Sequence, residues 1–319
     1  MTHKPPYSLY VASCAPDGGI RQYWMDNDRL EPGAFTPMDR PMYMIISERR
    51  MYVLLRSPFG TQESGLISYD IVPDGSLRNP SRIQSTQGEV ACHLCTDENC
   101  VYAVNYLSGS VIRMPDRWVV HTGNSIHPTR QSGPHTHYVN FTPDQKYLLV
   151  TDLGTDQIYL YDKELSLCSR TAVPAGHGPR HLAFHEDGCH VFCVNELKST
   201  ASLLKYTDGR LLLTDTVSTL PDGYTGDSTS AAIRCVGNTV YTSNRGHDSI
   251  SVLDFSGEHL RLRTTIPTFG KGPRDFVIVG DRILAANERE HTVSVISLSE
   301  HRLISQTQIQ FPVCIVSDI

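Results

Sequence analysis

Basic charge is in short supply in this chain. Its 319 residues carry 28 Lys+Arg against 34 Asp+Glu, a formal net charge of −6. That balance gives no electrostatic footprint for a phosphate backbone, so no nucleic-acid partner is expected. No apolar run approaches the roughly 20 residues that cross a bilayer, and no membrane association is expected either. The start, Met1-Thr2-His3-Lys4-Pro5-Pro6, has no apolar stretch behind its lysine, so no signal peptide is expected. Nine scattered cysteines then read as reduced thiols, and the expected location is the cytoplasm. Two further absences concern chemistry and fold. No Gly-x-Ser-x-Gly elbow supports a serine hydrolase, and amphipathic helical periodicity is nowhere convincing. The hydrophobic share of 39% against 19% charged is enough to bury a proper core.

What the sequence does have is internal repetition. Short apolar runs closing on a polar residue recur as Val101–Asn105, Leu148–Asp152, Val191–Asn195, Val240–Asn244 and Ile283–Asn287. Weaker copies lie at Leu9–Ser13 and Met51–Leu55. Anchored on Tyr10, Tyr52, Tyr102, Leu149, Phe192, Tyr241 and Leu284, the units are 42 to 50 residues apart and nearly exhaust the chain. Alternation in Ile158-Tyr159-Leu160 and Ile250-Ser251-Val252 is the period of a half-buried strand. Strands upstream of the anchors, such as His181–Phe184, bring each unit to about four antiparallel strands. This predicts an all-β, seven-bladed β-propeller treated as one domain over residues 1–319. Closure is expected to join the strand near Tyr7–Val11 to the last blade, beside Ile304–Phe311.

In a blade, the start of the innermost strand and the end of the second strand share a rim. Sorting residues by that rule gathers Cys92-His93, His135-Thr136-His137, Pro179-Arg180-His181, Ala231-Ala232 and Pro273-Arg274-Asp275 at one mouth. Asn105-Tyr106, Asp152-Leu153, Asn195-Glu196, Asn244-Arg245 and Asn287-Glu288 join them. The single Asn positions read as strand-end turns. Three guanidiniums facing one opening suit a phosphorylated or carboxylated ligand, and a Glu beside them could deprotonate a water. Cys92, His93, Cys95 and Cys100 lack a second ligand pair at finger spacing, and Cys95 reads as a core thiol. His135 and His137, two apart on a strand, face one side but lack a clear third ligand. No metal and no cofactor are expected. Gly270-Lys271-Gly272-Pro273 reads as a turn.

These residues carry a resemblance. Gly178-Pro179-Arg180-His181-Leu182-Ala183-Phe184-His185 with Val194-Asn195-Glu196-Leu197 resembles the signature of the propeller-type 6-phosphogluconolactonases. Tyr147–Asp156, Ser243–Ile250 and Gly272–Phe276 are similar to the same family, the match running most specifically from Gly133 to Leu298. The resemblance implies a seven-bladed propeller and hydrolysis of 6-phosphogluconolactone in the pentose phosphate pathway. The family also includes a fungal carboxymuconate lactonizing cycloisomerase. Site residues implied by the resemblance fall on His137, Arg180, Glu196 and Arg274. Two departures stand out: Ala232-Ile233-Arg234, where many relatives carry an acidic residue and a His, and several short surface loops.

The expected reaction is metal-independent opening of a small anionic sugar lactone. Glu196 is expected to act as general base, with His137, titrating near neutrality, assisting proton transfer to the ring oxygen. Arg180 is expected to stabilise the oxyanion. Arg274 and Arg245 would hold the phosphate, with His135 and His181 at its margin. The alternatives are a carboxymuconate-type cycloisomerase and a non-catalytic binding platform, the latter calling for an exposed apolar or aromatic rim.

Overall fold

The computed structural model describes residues 8–318. Seven antiparallel sheets follow one another, each beginning at the centre with the strand that lines a channel. The inner strands of blades 2 to 7 are Pro41–Ser47, Ala91–Thr96, Thr136–Phe141, Pro179–Phe184, Thr229–Val236 and Pro273–Val279. Their second strands are Arg50–Leu55, Val101–Asn105, Leu148–Asp152, His190–Asn195, Thr239–Arg245 and Arg282–Asn287. Six blades have four strands; blade 2 has a fifth, because Gln84–Glu89 continues its edge beyond the short Leu77–Arg78. The chain is thus an all-β seven-bladed propeller. No helix of the described residues is long and apolar enough to cross a membrane.

Ring closure differs from the expectation. Leu9–Ser13 does not join the last blade beside Ile304–Phe311, whose outer strand Leu303–Gln308 pairs, among the described residues, only with Thr292–Ser297. Instead the carboxy-terminal Pro312–Ser317 becomes the inner strand of blade 1 and pairs with Leu9–Ser13. Tyr7, the start of the expected strand, lies outside the described residues. The reason was in the repeat itself. Tyr10 occupies the anchor of a second strand, so the missing first strand had to come from the other end. Contacts between neighbouring inner strands run unbroken round the circle, and every sheet edge at the centre is covered.

Every wedge between blades holds its own apolar cluster, seven in all among the described residues. Successive residues of a strand point to opposite faces. Leu148 and Val150 therefore pack toward blade 3, while Leu149 packs toward blade 5. Likewise Val191 and Cys193 face one neighbour, Phe192 and Val194 the other. This corrects the half-buried reading of Ile158-Tyr159-Leu160. All three are buried, Tyr159 in one wedge and its neighbours in the next. Strands buried on both faces read as apolar runs, not as polar alternation.

Candidate active site

The site grows out of one recurring irregularity. In each blade the pairing of inner and second strands slips by one residue near the inner strand's start. A bulge of this kind re-aims the extra side chain. Round the ring the bulged residues are Val313, Met42, Cys92, His137, Arg180, Ala231 and Arg274. Facing them, one residue past each second strand's polar anchor, are Cys14, Arg56, Tyr106, Leu153, Glu196, Arg245 and Glu288. Blade 1 is uncharged at these positions and blade 2 contributes only Arg56; blades 3 to 7 carry the remaining polar groups.

Glu196 sits at the centre of that polar arc and is buried. Its Oε2 accepts from Arg180 Nε at 3.1 Å and lies 3.1 Å from Arg245 Nη2; its Oε1 accepts from Arg130 Nη2 at 2.6 Å. Burial alone would raise its pKa, but Arg245, Arg180 and Arg130 outweigh it and hold the carboxyl far below the usual range. Arg180 is also buried and donates through Nη1 to the Ala231 carbonyl at 2.6 Å. The small side chain at Ala231 leaves room for that approach. Desolvation, with Arg245 beside it, brings Arg180 down to about 9, so it remains a cation at neutral pH.

Local sequence explains how this geometry is held. Glu196 N donates to the Gly178 carbonyl at 2.8 Å, and Ser230 N donates to the Glu196 carbonyl at 3.1 Å. Gly178 has φ +67°, and a Cβ there would fall 2.8 Å from Leu197 Cγ, so glycine is required before Pro179-Arg180. The anchor asparagines serve structure. Asn195 Nδ2 reaches Ser202 Oγ and Asn244 Nδ2 reaches Ser251 Oγ, each stitching its own blade. Asp152 does the same for blade 4, accepting from His135 N and contacting His121 Nδ1 at 2.7 Å.

Of the seven residues singled out, Glu196, Arg180 and Arg245 come together directly, and His137 lies near enough to feel the charges of Arg180 and Glu196. His137 is buried, with its Nδ1 3.8 Å from Cys92 Sγ. Desolvation and the nearby Arg180 push its pKa well below 6.5, so the imidazole is neutral and does not titrate near neutrality as expected. Arg274 lies in blade 7, donates to Glu288 at 3.3 Å, and still feels the charge of Glu196. His135 stacks on Tyr106 at 4.5 Å, and Tyr106 meets the His137 ring edge-on at 5.4 Å. Both histidines thus meet the one Tyr106 ring, His135 on its face and His137 at its edge. His181 lies one layer deeper, 5.3 Å from the His137 ring and 5.1 Å from His93, in an aromatic plug with Tyr43 and Tyr138. Arg234 belongs below that plug, where it pairs with Asp275 at 2.6 Å. Burial raises the Cys92 thiol to about 12, so it is no nucleophile.

Arg130 is the member that sequence reasoning missed. It comes from the connection between blades 3 and 4, held by Gln131 Nε2 donating to the Leu153 carbonyl at 2.9 Å. The repeat carried no signal of it, since the spacing from Tyr102 to Leu149 lies within the range of the other units.

Comparison with known proteins places this geometry. A family model described as Lactonase, 7-bladed beta-propeller matches residues 8–316. The 6-phosphogluconolactonase of Bacillus subtilis (strain 168) is 29% identical over 343 residues, covering 97% of this chain and 97% of its own. A Staphylococcus aureus (strain USA300) protein of uncharacterised function is 32% identical, covering 86% of this chain and 84% of its own. A crystal structure of a Lactobacillus plantarum protein superposes with a TM-score of 0.88 at 27% identity, covering 98% of this chain and 99% of its own.

Proposed function

The chain belongs to the seven-bladed β-propeller lactonase family, and from that membership we propose that it hydrolyses an anionic sugar lactone, 6-phosphogluconolactone giving 6-phosphogluconate. The observation that carries this reading is the buried Glu196 carboxylate gathered by Arg180, Arg245 and Arg130, with neutral His137 beside it. The full-length similarity to a protein named 6-phosphogluconolactonase supports it.

Three guanidiniums make Glu196 a poor base. A phosphate entering the mouth competes for Arg245 and Arg130, with Arg274 close by, and leaves the carboxylate with fewer cations. Its basicity then rises where the substrate's own anion is bound. Glu196 takes a proton from water as the oxygen adds to the lactone carbonyl. Arg180, fixed by Glu196 and the Ala231 carbonyl, stabilises the oxyanion. As the intermediate collapses, the C–O bond to the ring oxygen breaks, and that oxygen takes the proton from Glu196 by way of His137. A buried neutral imidazole suits such a relay and does not compete with substrate for the anionic charge.

We extend the proposal to the whole chain as one domain acting in the cytoplasm. A ring closed by strands from both ends cannot be divided without opening a sheet edge. The test is the rate of 6-phosphogluconolactone opening above spontaneous hydrolysis, with carboxymuconate as a parallel substrate. Acceleration on the sugar lactone alone supports the proposal. Turnover of the muconate instead would make the chain a cycloisomerase, and activity on neither would overturn the enzymatic reading.

A further inference from the structure

At the far end of the blade 5 hairpin from Arg180 and Glu196, the turn His185-Glu186-Asp187-Gly188-Cys189-His190 brings two imidazoles and a carboxylate together. His190 Nδ1 lies 2.6 Å and His185 Nδ1 3.0 Å from the same oxygen, Asp187 Oδ2. All three ligand-type atoms fall within 4.8 Å of one another.

The hydrogen bonds around His185 fix its ring. Nε2 faces the Asn238 side-chain oxygen at 2.9 Å and therefore carries the proton. Nδ1 accepts the Asp187 backbone N–H at 3.3 Å and therefore presents a lone pair. The same Nδ1 lies 3.0 Å from Asp187 Oδ2, the oxygen that His190 Nδ1 also reaches, so both imidazoles face one carboxylate. An imidazole with its outer N–H held by an amide carbonyl has its ring oriented and its other nitrogen directed to a partner, the usual arrangement of a metal ligand. The rings are also locked in place, since His185 and His190 pack edge-on against Phe255 of blade 6 at 5.1 and 4.9 Å. Asp187 is tied through Oδ1 to the backbone N–H of Cys189 and His190.

We propose that His185, Asp187 and His190 form a binding site for a divalent transition ion of the zinc type. Two neutral imidazoles and one carboxylate are a borderline donor set suited to zinc, with bonds of about 2.0–2.2 Å. To reach the ~3.4 Å between tetrahedral ligand atoms, the 3.0 and 2.6 Å separations would open by roughly 0.4 and 0.8 Å. Asp187 and the turn are exposed, leaving a fourth position for water. The ion would clamp the hairpin whose other end carries Arg180 and Glu196, and so would act on stability and not on the chemical step.

The test uses chelator-treated full-length protein titrated with zinc by calorimetry, and with cobalt(II) read by its visible absorption. The expected result is one equivalent bound more tightly than about 10 µM, tetrahedral cobalt bands, and a melting temperature raised by zinc. Asn238→Ala should weaken binding about 10-fold and His190→Gln by more, with the zinc-dependent rise lost. Unchanged zinc affinity in His190→Gln, or no binding by the wild type below about 100 µM, would overturn the proposal and leave an imidazolium–carboxylate pair at the turn.

Discussion

Blades 5 and 7 place the same two residue types at the same two positions, and only one of the pairs is buried. Arg180 and Glu196 occupy the bulge and the post-anchor position of blade 5; Arg274 and Glu288 occupy them in blade 7. The blade 5 side chains are 3% and 4% exposed, those of blade 7 21% and 28%. The difference comes from the neighbours. Blade 6 offers Ala231, which admits Arg180, and Arg245, which crosses to Glu196; the connection before blade 4 adds Arg130. Blade 1, next to blade 7, offers Val313 and Cys14, which bring no charge. A repeat supplies the position, and the adjoining blade decides what the residue there can do.

The comparison breaks most visibly if the two carboxylates are interchangeable. Glu196→Gln should lower kcat for lactone opening about 100- to 10,000-fold, whereas Glu288→Gln should change it less than about threefold. Steady-state kinetics on the two variants decides this, and equal losses would erase the distinction. The arginines should split along the same line with smaller effects. Arg180→Ala should reduce kcat about 100-fold or more, while Arg274→Ala should raise KM about 10-fold with kcat nearly kept.

These contrasts also mark how much was legible in the sequence. The blade count and the rim were readable because the Asn/Asp anchor recurs in register, and because a strand's start and its partner's end must share a mouth. His137, Arg180, Glu196, Arg245 and Arg274 followed from that rule. Arg130 did not, since it rises from an irregular connection with no repeat partner. The depth of His181 was also invisible, because a bulge shifts the face of every residue beyond it and leaves no mark in composition. The closing strand could have been read, since Tyr10 already stood in second-strand position.

A third effect concerns acid. His93, His137 and His181 are buried, and desolvation followed by Arg180 lowers the pKa of each well below 6.5. The unfolded chain takes up protons below that value that the folded chain refuses, so stability should fall as pH drops through it. Glu196 acts at lower pH. Its depressed pKa gives stability that is present above the ordinary carboxyl range and lost as pH falls through it. Thermal melts should show Tm falling by about 3–6 °C between pH 7.5 and 5.5. His93→Gln should flatten that slope, and an unchanged slope would remove the neutral-imidazole plug from the account. The smallest effect is expected at Arg130, whose side chain is 39% exposed. Arg130→Gln should raise KM about 3- to 5-fold, an effect that fades with added salt because the exposed charge is screened.

The central claim is that the substrate's own anion relieves Glu196 of its guanidiniums, and kcat/KM for 6-phosphogluconolactone against unphosphorylated gluconolactone tests it most directly. The account predicts a preference of about 100-fold or more for the phosphorylated lactone, part of it in kcat, shrinking in Arg245→Gln. Equal kcat/KM for the two lactones, or a preference carried by KM alone and untouched by Arg245→Gln, would contradict it.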